Sequence, residues 1–263
     1  GILRLPSFRI FHSGRNLRKV RIIMFGYEPE YIDCGDARIA CYDIGRGHPL
    51  ILLHGNGEDS SYWNAQISEF TRFMRVIAVD SRGHGASDSG TKGLSFDLMA
   101  QDLKHILDVK GIKKAFFLGF SDGGNLAIKF ALQWPDMVEK LVLNGANVEM
   151  FFGVKPHVQL TTFAGYGAAS LFSRISRKAA RRRDVLGLMV HPYGVRMDDL
   201  ARLEMPTLII VGEHDMIKDR QTREMAAHIP HCRVEVFRDG DHFVAAKQPS
   251  RFNRTVMEFI LGR

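Results

Sequence analysis

Short apolar runs alternate with helical patterns along most of the chain. Each run is four or five residues of mainly aliphatic or aromatic side chains, as expected of strands covered on both faces of a parallel sheet. The predicted strands of this kind are residues 50–53, 76–79, 115–118, 141–144 and 207–211, and a further strand is predicted at 233–237. Apolar residues at helical spacing follow most of them, with Ser95 as a predicted N-cap and Pro249 as the start of the last helix. The pattern predicts an α/β fold with a doubly wound, mostly parallel sheet and right-handed crossovers.

Two segments depart from this alternation. Residues 27–34 and 37–43 alternate polar and apolar side chains around a Gly-Asp pair, which predicts a hairpin of edge strands. Residues 147–204 are rich in aromatic residues and arginine and show helical pieces but no strand. We predict one domain over residues 26–263 in which 147–204 form a small helical cap. An insertion after a strand covers the carboxyl edge of such a sheet, where ligands bind.

One strand-to-helix junction carries the sequence Gly119-Phe120-Ser121-Asp122-Gly123-Gly124. A serine on so sharp a turn has a strained backbone, and side chains at the flanking glycine positions would collide with the strand or the helix. The junction lifts the serine hydroxyl above the sheet, next to a helix N-terminus that favours negative charge. The pattern indicates a nucleophile elbow.

A serine nucleophile needs a base, and the base needs a partner that fixes its tautomer. After an elbow, the acid and then the histidine are expected in loops that follow later strands. Asp215 follows the strand at 207–211, and His242 follows the strand at 233–237. We therefore predict a catalytic triad of Ser121, Asp215 and His242, with Glu149 as the alternative acid.

The other histidines favour structural interpretations. His54 precedes a glycine-rich turn and is expected to hold that loop by a hydrogen bond, and His84 is expected to be structural. Asp239 and Asp241 are too close to His242 in sequence to reach its far nitrogen easily. No metal site is predicted at the histidine pair around Pro230, because proline spoils the helical spacing that zinc ligands would need.

Acyl transfer also requires hydrogen-bond donors at the developing oxyanion. We predict two backbone N–H groups, those of Asp122 and Asn56, with Gly57 as the alternative to Asn56. The glycines around Asn56 allow an N–H group to turn inward.

These residues resemble the α/β-hydrolase superfamily from about residue 27 to the end of the chain. The shared pieces, besides the elbow, are His54-Gly55, Asp80-x-Arg82-Gly83-x-Gly85-x-Ser87, Gly212-x-x-Asp215 and Gly240-x-His242. The elbow is similar to that of the branch that includes valacyclovir hydrolase and many bacterial carboxylesterases. The resemblance implies a serine mechanism without a cofactor on Ser121, Asp215 and His242. Serine at the elbow argues against the epoxide hydrolase and haloalkane dehalogenase branches, which have aspartate there.

Substrate recognition is predicted from the elbow and the cap. Apolar side chains suited to an acyl chain or an aromatic group are Phe120, Phe151, Phe152, Phe163 and Tyr166. Asp122 could pair with the amine of an aminoacyl ester, or instead interact with the start of its own helix. The basic run Arg174, Arg177, Lys178, Arg181, Arg182 and Arg183 is typical of a solvated face, with a weak contact to an anionic surface as the alternative.

Composition narrows the function classes. The 263 residues are 45% hydrophobic and 25% charged, as in ordinary globular proteins, and no apolar run approaches membrane-spanning length. Six of the 36 basic residues and none of the 29 acidic ones lie in residues 1–25, so the remainder is nearly neutral and no nucleic-acid partner is predicted. Residues 1–25 are interpreted as a basic leader that is disordered or non-native. Three scattered cysteines favour a reducing compartment, hence the cytoplasm, or mitochondria if the leader is native.

The sequence thus predicts a serine hydrolase that cleaves a small carboxylic ester through an acyl-enzyme. Alternatives on the same triad are hydrolysis of a C–C bond, a lactone or a thioester, and cofactor-free perhydrolysis. A different class remains open: a receptor that keeps the triad but turns over its ligand negligibly.

Overall fold

The computed structural model describes residues 26–262 of the chain, so the predicted leader lies outside the described residues. Eight strands form one sheet in the order β1-β2-β4-β3-β5-β6-β7-β8. They are β1 Glu30–Asp33, β2 Arg38–Ile44, β3 Pro49–Leu53, β4 Arg75–Val79, β5 Ala115–Phe120, β6 Val138–Asn144, β7 Thr207–Gly212 and β8 Cys232–Phe237. Strands β3 to β8 are parallel, and β1 and β2 form the antiparallel hairpin at one edge. The predicted α/β fold class is confirmed.

Helices cover both faces of the sheet. They are α1 Asn64–Phe70, α2 Phe96–Val109, α3 Asp122–Gln133, α4 Pro156–Phe172, α5 Arg177–Val190, α6 Asp219–His228, α7 Val244–Lys247 and α8 Pro249–Leu261. One hydrophobic core lies between the sheet and helices α2, α3 and α6, and the other between the sheet and helices α1 and α8. The Ser95 hydroxyl accepts a hydrogen bond from the Leu98 N–H at 3.2 Å, which confirms the predicted N-cap of α2.

The segment between β6 and β7 contains helices α4 and α5 and a short 3₁₀ helix, Met197–Arg202. Helix α4 packs against α5. Two hydrogen bonds tie α5 to the sheet domain: Asn56 Nδ2 donates to the Val185 carbonyl and Arg181 Nε donates to the Gly83 carbonyl, both at 2.8 Å. Helix α4 is therefore the outer layer of this segment. The limits 147–204 of the cap stay a prediction.

The motif that starts at Asp80 stabilises the loop after β4. Asp80 accepts hydrogen bonds from the N–H groups of Ser60 and Ala86, each at 2.8 Å. A Cβ atom on Gly85 would lie 2.2 Å from the Asp80 carboxylate, so only glycine fits there. Arg82 is buried, and its guanidinium binds Asp102 through two nitrogens at 2.7 Å each. This motif is structural and fixes a loop beside the carboxyl edge of the sheet.

Two simpler expectations can be compared with the described residues. Between residues 26 and 262, no helix combines the length and the apolar character needed to cross a membrane. The three cysteines form no disulfide; Cys41 is buried, whereas Cys34 and Cys232 are partly exposed.

Candidate active site

The elbow has the strained geometry that its sequence predicts. Ser121 lies between β5 and α3 with φ 53° and ψ −120°, a region that costs a non-glycine residue about 1–3 kcal/mol. A Cβ atom on Gly119 would lie 2.3 Å from the Gly123 carbonyl oxygen, and one on Gly123 would lie 2.2 Å from the Leu53 carbonyl oxygen. The steric reason for both glycines is confirmed.

Asp215 and His242 contact each other. His242 Nδ1 lies 2.7 Å from Asp215 Oδ1, and both side chains are buried. The same carboxylate accepts backbone hydrogen bonds from Ile217 at 3.0 Å and from Gly212 at 3.3 Å. Because Nδ1–H donates to the carboxylate, the neutral imidazole presents Nε2 as an acceptor. That nitrogen is buried and has no hydrogen-bond partner among residues 26–262.

The end of β6 brings the elbow and His242 to one place. The Ser121 N–H donates to the Asn144 carbonyl at 2.8 Å. Gly145, which follows Asn144, has φ 62°, and a Cβ atom on it would lie 2.7 Å from His242 Cε1. On the other side, the Phe120 ring lies 4.8 Å from the imidazole, between ring centroids. The serine and the histidine therefore lie at the same edge of the sheet, although 121 positions separate them in the chain.

Two alternatives from the sequence have other partners. Glu149, the alternative acid, forms an ion pair with Arg220 at 3.3 Å. His54 accepts from the Ser81 N–H at 3.0 Å and donates to the Gly55 carbonyl at 2.8 Å, so it holds its loop as expected. Burial lowers the pKa of His54 and keeps it neutral.

The loop with Asn56 lies against the elbow. Asn56 Nδ2 donates to Asp122 Oδ2 at 2.8 Å, and a Cβ atom on Gly123 would lie 2.5 Å from the His54 carbonyl oxygen. The first N–H groups of a helix, here including that of Asp122, have no intrahelical acceptor. The predicted oxyanion donors are thus on neighbouring segments, but their role stays a prediction.

Asp122 is buried in a network of amide side chains. Asn56 donates to one carboxylate oxygen at 2.8 Å and Asn125 to the other at 3.4 Å. Asn125 also accepts from the Asn147 N–H at 2.9 Å, which connects the elbow to the start of the predicted cap. Burial raises the pKa of Asp122 to about 6. Its amine-binding role stays a prediction, and an amine would have to compete with these amides.

Three residues of the site were not predicted from the sequence: Glu58, Asn125 and Asn147. Glu58 follows the Asn56 loop, and its carboxylate accepts from the Gly55 N–H at 3.2 Å. Burial raises the pKa of Glu58 to about 7, and the hydrogen bond from the Gly55 N–H acts against this rise. Its place just after the loop was a usable signal. No sequence signal pointed to Asn125 or Asn147, because helical and strand patterns are read from apolar residues.

Replacing Glu58 with glutamine should change how stability depends on pH. Glu58 ionises near pH 4.5 when unfolded and near pH 7 when folded, so the fold favours its protonated form. That stability is complete below about pH 4.5 and is lost as pH rises through 7. The free energy of unfolding of the Glu58→Gln protein minus that of the parent should therefore be about 2 kcal/mol larger at pH 8 than at pH 5. Urea unfolding at both pH values measures this, and a difference independent of pH would contradict it.

The predicted substrate-contacting aromatic residues are scattered. Phe120 is buried and stacks on Tyr62, with 4.2 Å between ring centroids. The side chains of Phe152 and Phe163 are 70% and 59% exposed, with the partly buried Phe151 beside both. The Tyr166 hydroxyl lies 3.1 Å from His191 Nε2. A substrate contact by each of them stays a prediction.

Comparisons with known proteins identify the family. Residues 48–183 match the family model described as alpha/beta hydrolase fold. A 2-hydroxy-6-oxononadienedioate/2-hydroxy-6-oxononatrienedioate hydrolase of Burkholderia vietnamiensis is 30% identical over 87% of this chain and 92% of its own length. Two solved structures are similar. The meta-cleavage product hydrolase of Pseudomonas fluorescens IP01 has a TM-score of 0.69 at 26% identity, covering 89% of this chain and 97% of its own. An esterase from Exiguobacterium antarcticum has a TM-score of 0.76 at 22% identity, covering 88% of this chain and 99% of its own. The chain belongs to the α/β-hydrolase superfamily and is a hydrolase.

Proposed function

We propose that this hydrolase cleaves carboxylic esters through an acyl-enzyme on Ser121. His242 Nε2 takes the proton of the serine hydroxyl as the oxygen attacks the ester carbonyl, and returns it to the leaving alcohol. Asp215 keeps the proton of the neutral imidazole on Nδ1 and stabilises the imidazolium that forms. Water, deprotonated in turn by His242, then releases the acid and frees Ser121.

The observation that carries the proposal is the hydrogen bonding of the two His242 ring nitrogens. Its Nδ1 is bound to Asp215 at 2.7 Å, while its Nε2 is buried without a partner in the described part of the chain. A buried acceptor without a partner is costly in a purely structural site. The serine elbow at the same edge of the sheet supplies a hydroxyl for which such an acceptor is suited.

The oxyanion of the tetrahedral intermediate would bind the N–H groups of Asp122 and Asn56. The side-chain hydrogen bond from Asn56 to Asp122 supports this assignment, because it holds the two segments together at 2.8 Å. Removal of one such donor typically lowers kcat by about 10²–10³.

Hydrolysis of a C–C bond is the second candidate, because the Burkholderia relative is named for a dienedioate substrate and the Pseudomonas structure for a meta-cleavage product. A dioate carries two carboxylates. Here two carboxyl groups, Glu58 and Asp122, lie near His242, and burial raises the pKa of each. A substrate carboxylate beside them would be repelled once they ionise, whereas a neutral ester would not be. We therefore favour the ester.

A serine-directed fluorophosphonate probe and a substrate panel test the proposal. The expected result is one adduct on Ser121 by intact-mass and peptide analysis, together with turnover of short p-nitrophenyl esters. Their kcat/KM should exceed that for a dienedioate by at least about tenfold, roughly the value of one unfavourable charge contact. A preference for the dienedioate would instead establish the C–C reaction. Absence of both adduct and turnover in folded protein would favour the receptor alternative.

A further inference from the structure

Helix α4 turns an apolar face to solvent. Along the helix, Leu160, Phe163, Ala164, Gly167 and Leu171 recur at spacings of three and four, which places them on one side, and all are exposed. The opposite side packs on α5, where Gly165 allows the two helices to approach closely. This arrangement is the reverse of the usual surface helix, whose apolar side faces the core.

The exposed side chains are large. We define the α4 face as five exposed residues: Leu160, Phe163, Leu171, Phe172 and Ile175. Leu160, Leu171 and Ile175 are 71%, 75% and 83% exposed. Contiguous apolar surface of this kind marks an interaction site.

The segment that carries the α4 face is basic. From residue 150 to residue 183 the chain has no aspartate or glutamate and seven lysines or arginines. Four of them are exposed and have no ion-pair partner within the part of the chain that the structure describes: Arg174, Arg177, Lys178 and Arg182. Arg183 pairs with Asp184 and Arg181 binds the Gly83 carbonyl. The first half of α5 thus adds a basic border to the apolar surface of α4.

We propose that the α4 face and the basic residues of α5 form a docking surface for an anionic lipid membrane. Aliphatic and aromatic side chains enter the boundary between headgroups and acyl chains, while flanking lysines and arginines bind acidic headgroups. The positive charge of this surface favours an anionic membrane over a second copy of the chain. A second copy docked on this face around a two-fold axis would bring two basic α5 segments together. Residues 1–25 of the chain are also basic, with no acid. Nucleic acid would match the charge but not the aliphatic side chains.

Co-sedimentation of the full-length protein with vesicles tests the proposal. We expect binding to phosphatidylcholine vesicles that contain about 30% phosphatidylglycerol, and little binding to phosphatidylcholine alone. The partition coefficient of the Leu160→Ser/Leu171→Ser/Ile175→Ser protein should be at least about tenfold lower. Each replacement removes several CH₂ groups that would be buried in the membrane interface. The Arg177→Ala/Lys178→Ala protein should lose about 25-fold in partition coefficient on anionic vesicles, at roughly fivefold per charge. The turnover of a soluble ester should be unchanged in both.

The matched control is Phe73→Ser, an exposed aromatic residue away from α4 that should leave binding unchanged. Absence of binding to anionic vesicles by the parent protein would overturn the proposal. So would equal binding by the triple-serine protein, which retains the basic residues 1–25 and would reveal adsorption through that segment. Self-association that the triple substitution abolishes, in a protein that does not bind vesicles, would assign the face to a second copy instead.

Discussion

Replacing Ser121 with alanine is expected to lower kcat/KM for an ester by about 10⁴-fold or more, because the proposed acyl-enzyme forms on the serine hydroxyl. The fluorophosphonate adduct should disappear as well. Circular dichroism should be unchanged, since the serine side chain contributes no N-cap hydrogen bond to α3. Residual activity above about 1% of the parent would contradict the role of Ser121.

Glycine at the same position separates strain from chemistry. The φ of 53° at Ser121 is unfavourable for any residue with a Cβ atom, whereas glycine adopts it readily. The Ser121→Gly protein should be as inactive as Ser121→Ala but more stable than it by about 1 kcal/mol in urea unfolding. Asp239→Gly is the control, because Asp239 is the other non-glycine residue with positive φ, at 55°, among the described residues. It should gain stability and keep its activity. Equal stability of Ser121→Gly and Ser121→Ala would show that the elbow stores no strain.

Replacing Asp215 with asparagine should lower kcat by about 10⁴-fold. It should also remove the backbone hydrogen bond from Ile217, because the amide N–H₂ would take the place of the Oδ1 atom that accepts it. The asparagine amide would present a donor to His242 Nδ1, which favours the tautomer with the proton on Nε2. That nitrogen could then no longer accept the proton of Ser121. The side chain keeps its size, so the buried pair at 2.7 Å is replaced without a cavity. Steady-state kinetics on a p-nitrophenyl ester measure the effect.

Glu149→Gln is the matched control for the acid. Glu149 was the alternative from sequence, but it pairs with Arg220 near the surface, and such pairs contribute about 0–1 kcal/mol. Its kcat should stay within about threefold of the parent. A larger loss in Glu149→Gln than in Asp215→Asn would reverse the assignment of the acid.

The sheet was predictable because its signals are local. All six parallel strands were located within a few residues, since apolar runs, turn glycines and helix starts are read from neighbouring positions; five of them are buried, and β8 is a largely exposed edge strand. The helices of the 147–204 segment were also expected. The exposure of the aromatic side chains in this segment was not readable from the sequence: Phe152 and Phe163 are mostly exposed, and their contact with a substrate stays a prediction. The aromatic residues of this segment were readable from the sequence. Which side of helix α4 is covered depends on its packing against α5.

The α/β fold, the elbow and the order of Ser121, Asp215 and His242 were readable from the sequence, because each follows from a strand end and its adjoining turn. How those strand ends meet depends on contacts between distant parts of the folded chain. The contacts of Asn56 with Asp122 and with Val185 span 66 and 129 positions, and no local pattern encodes a hydrogen bond over such a separation. The place of Glu58 just after the Asn56 loop is visible in the sequence, but its burial is not. Its raised pKa comes from burial beside the elbow, which exists only after the chain has folded.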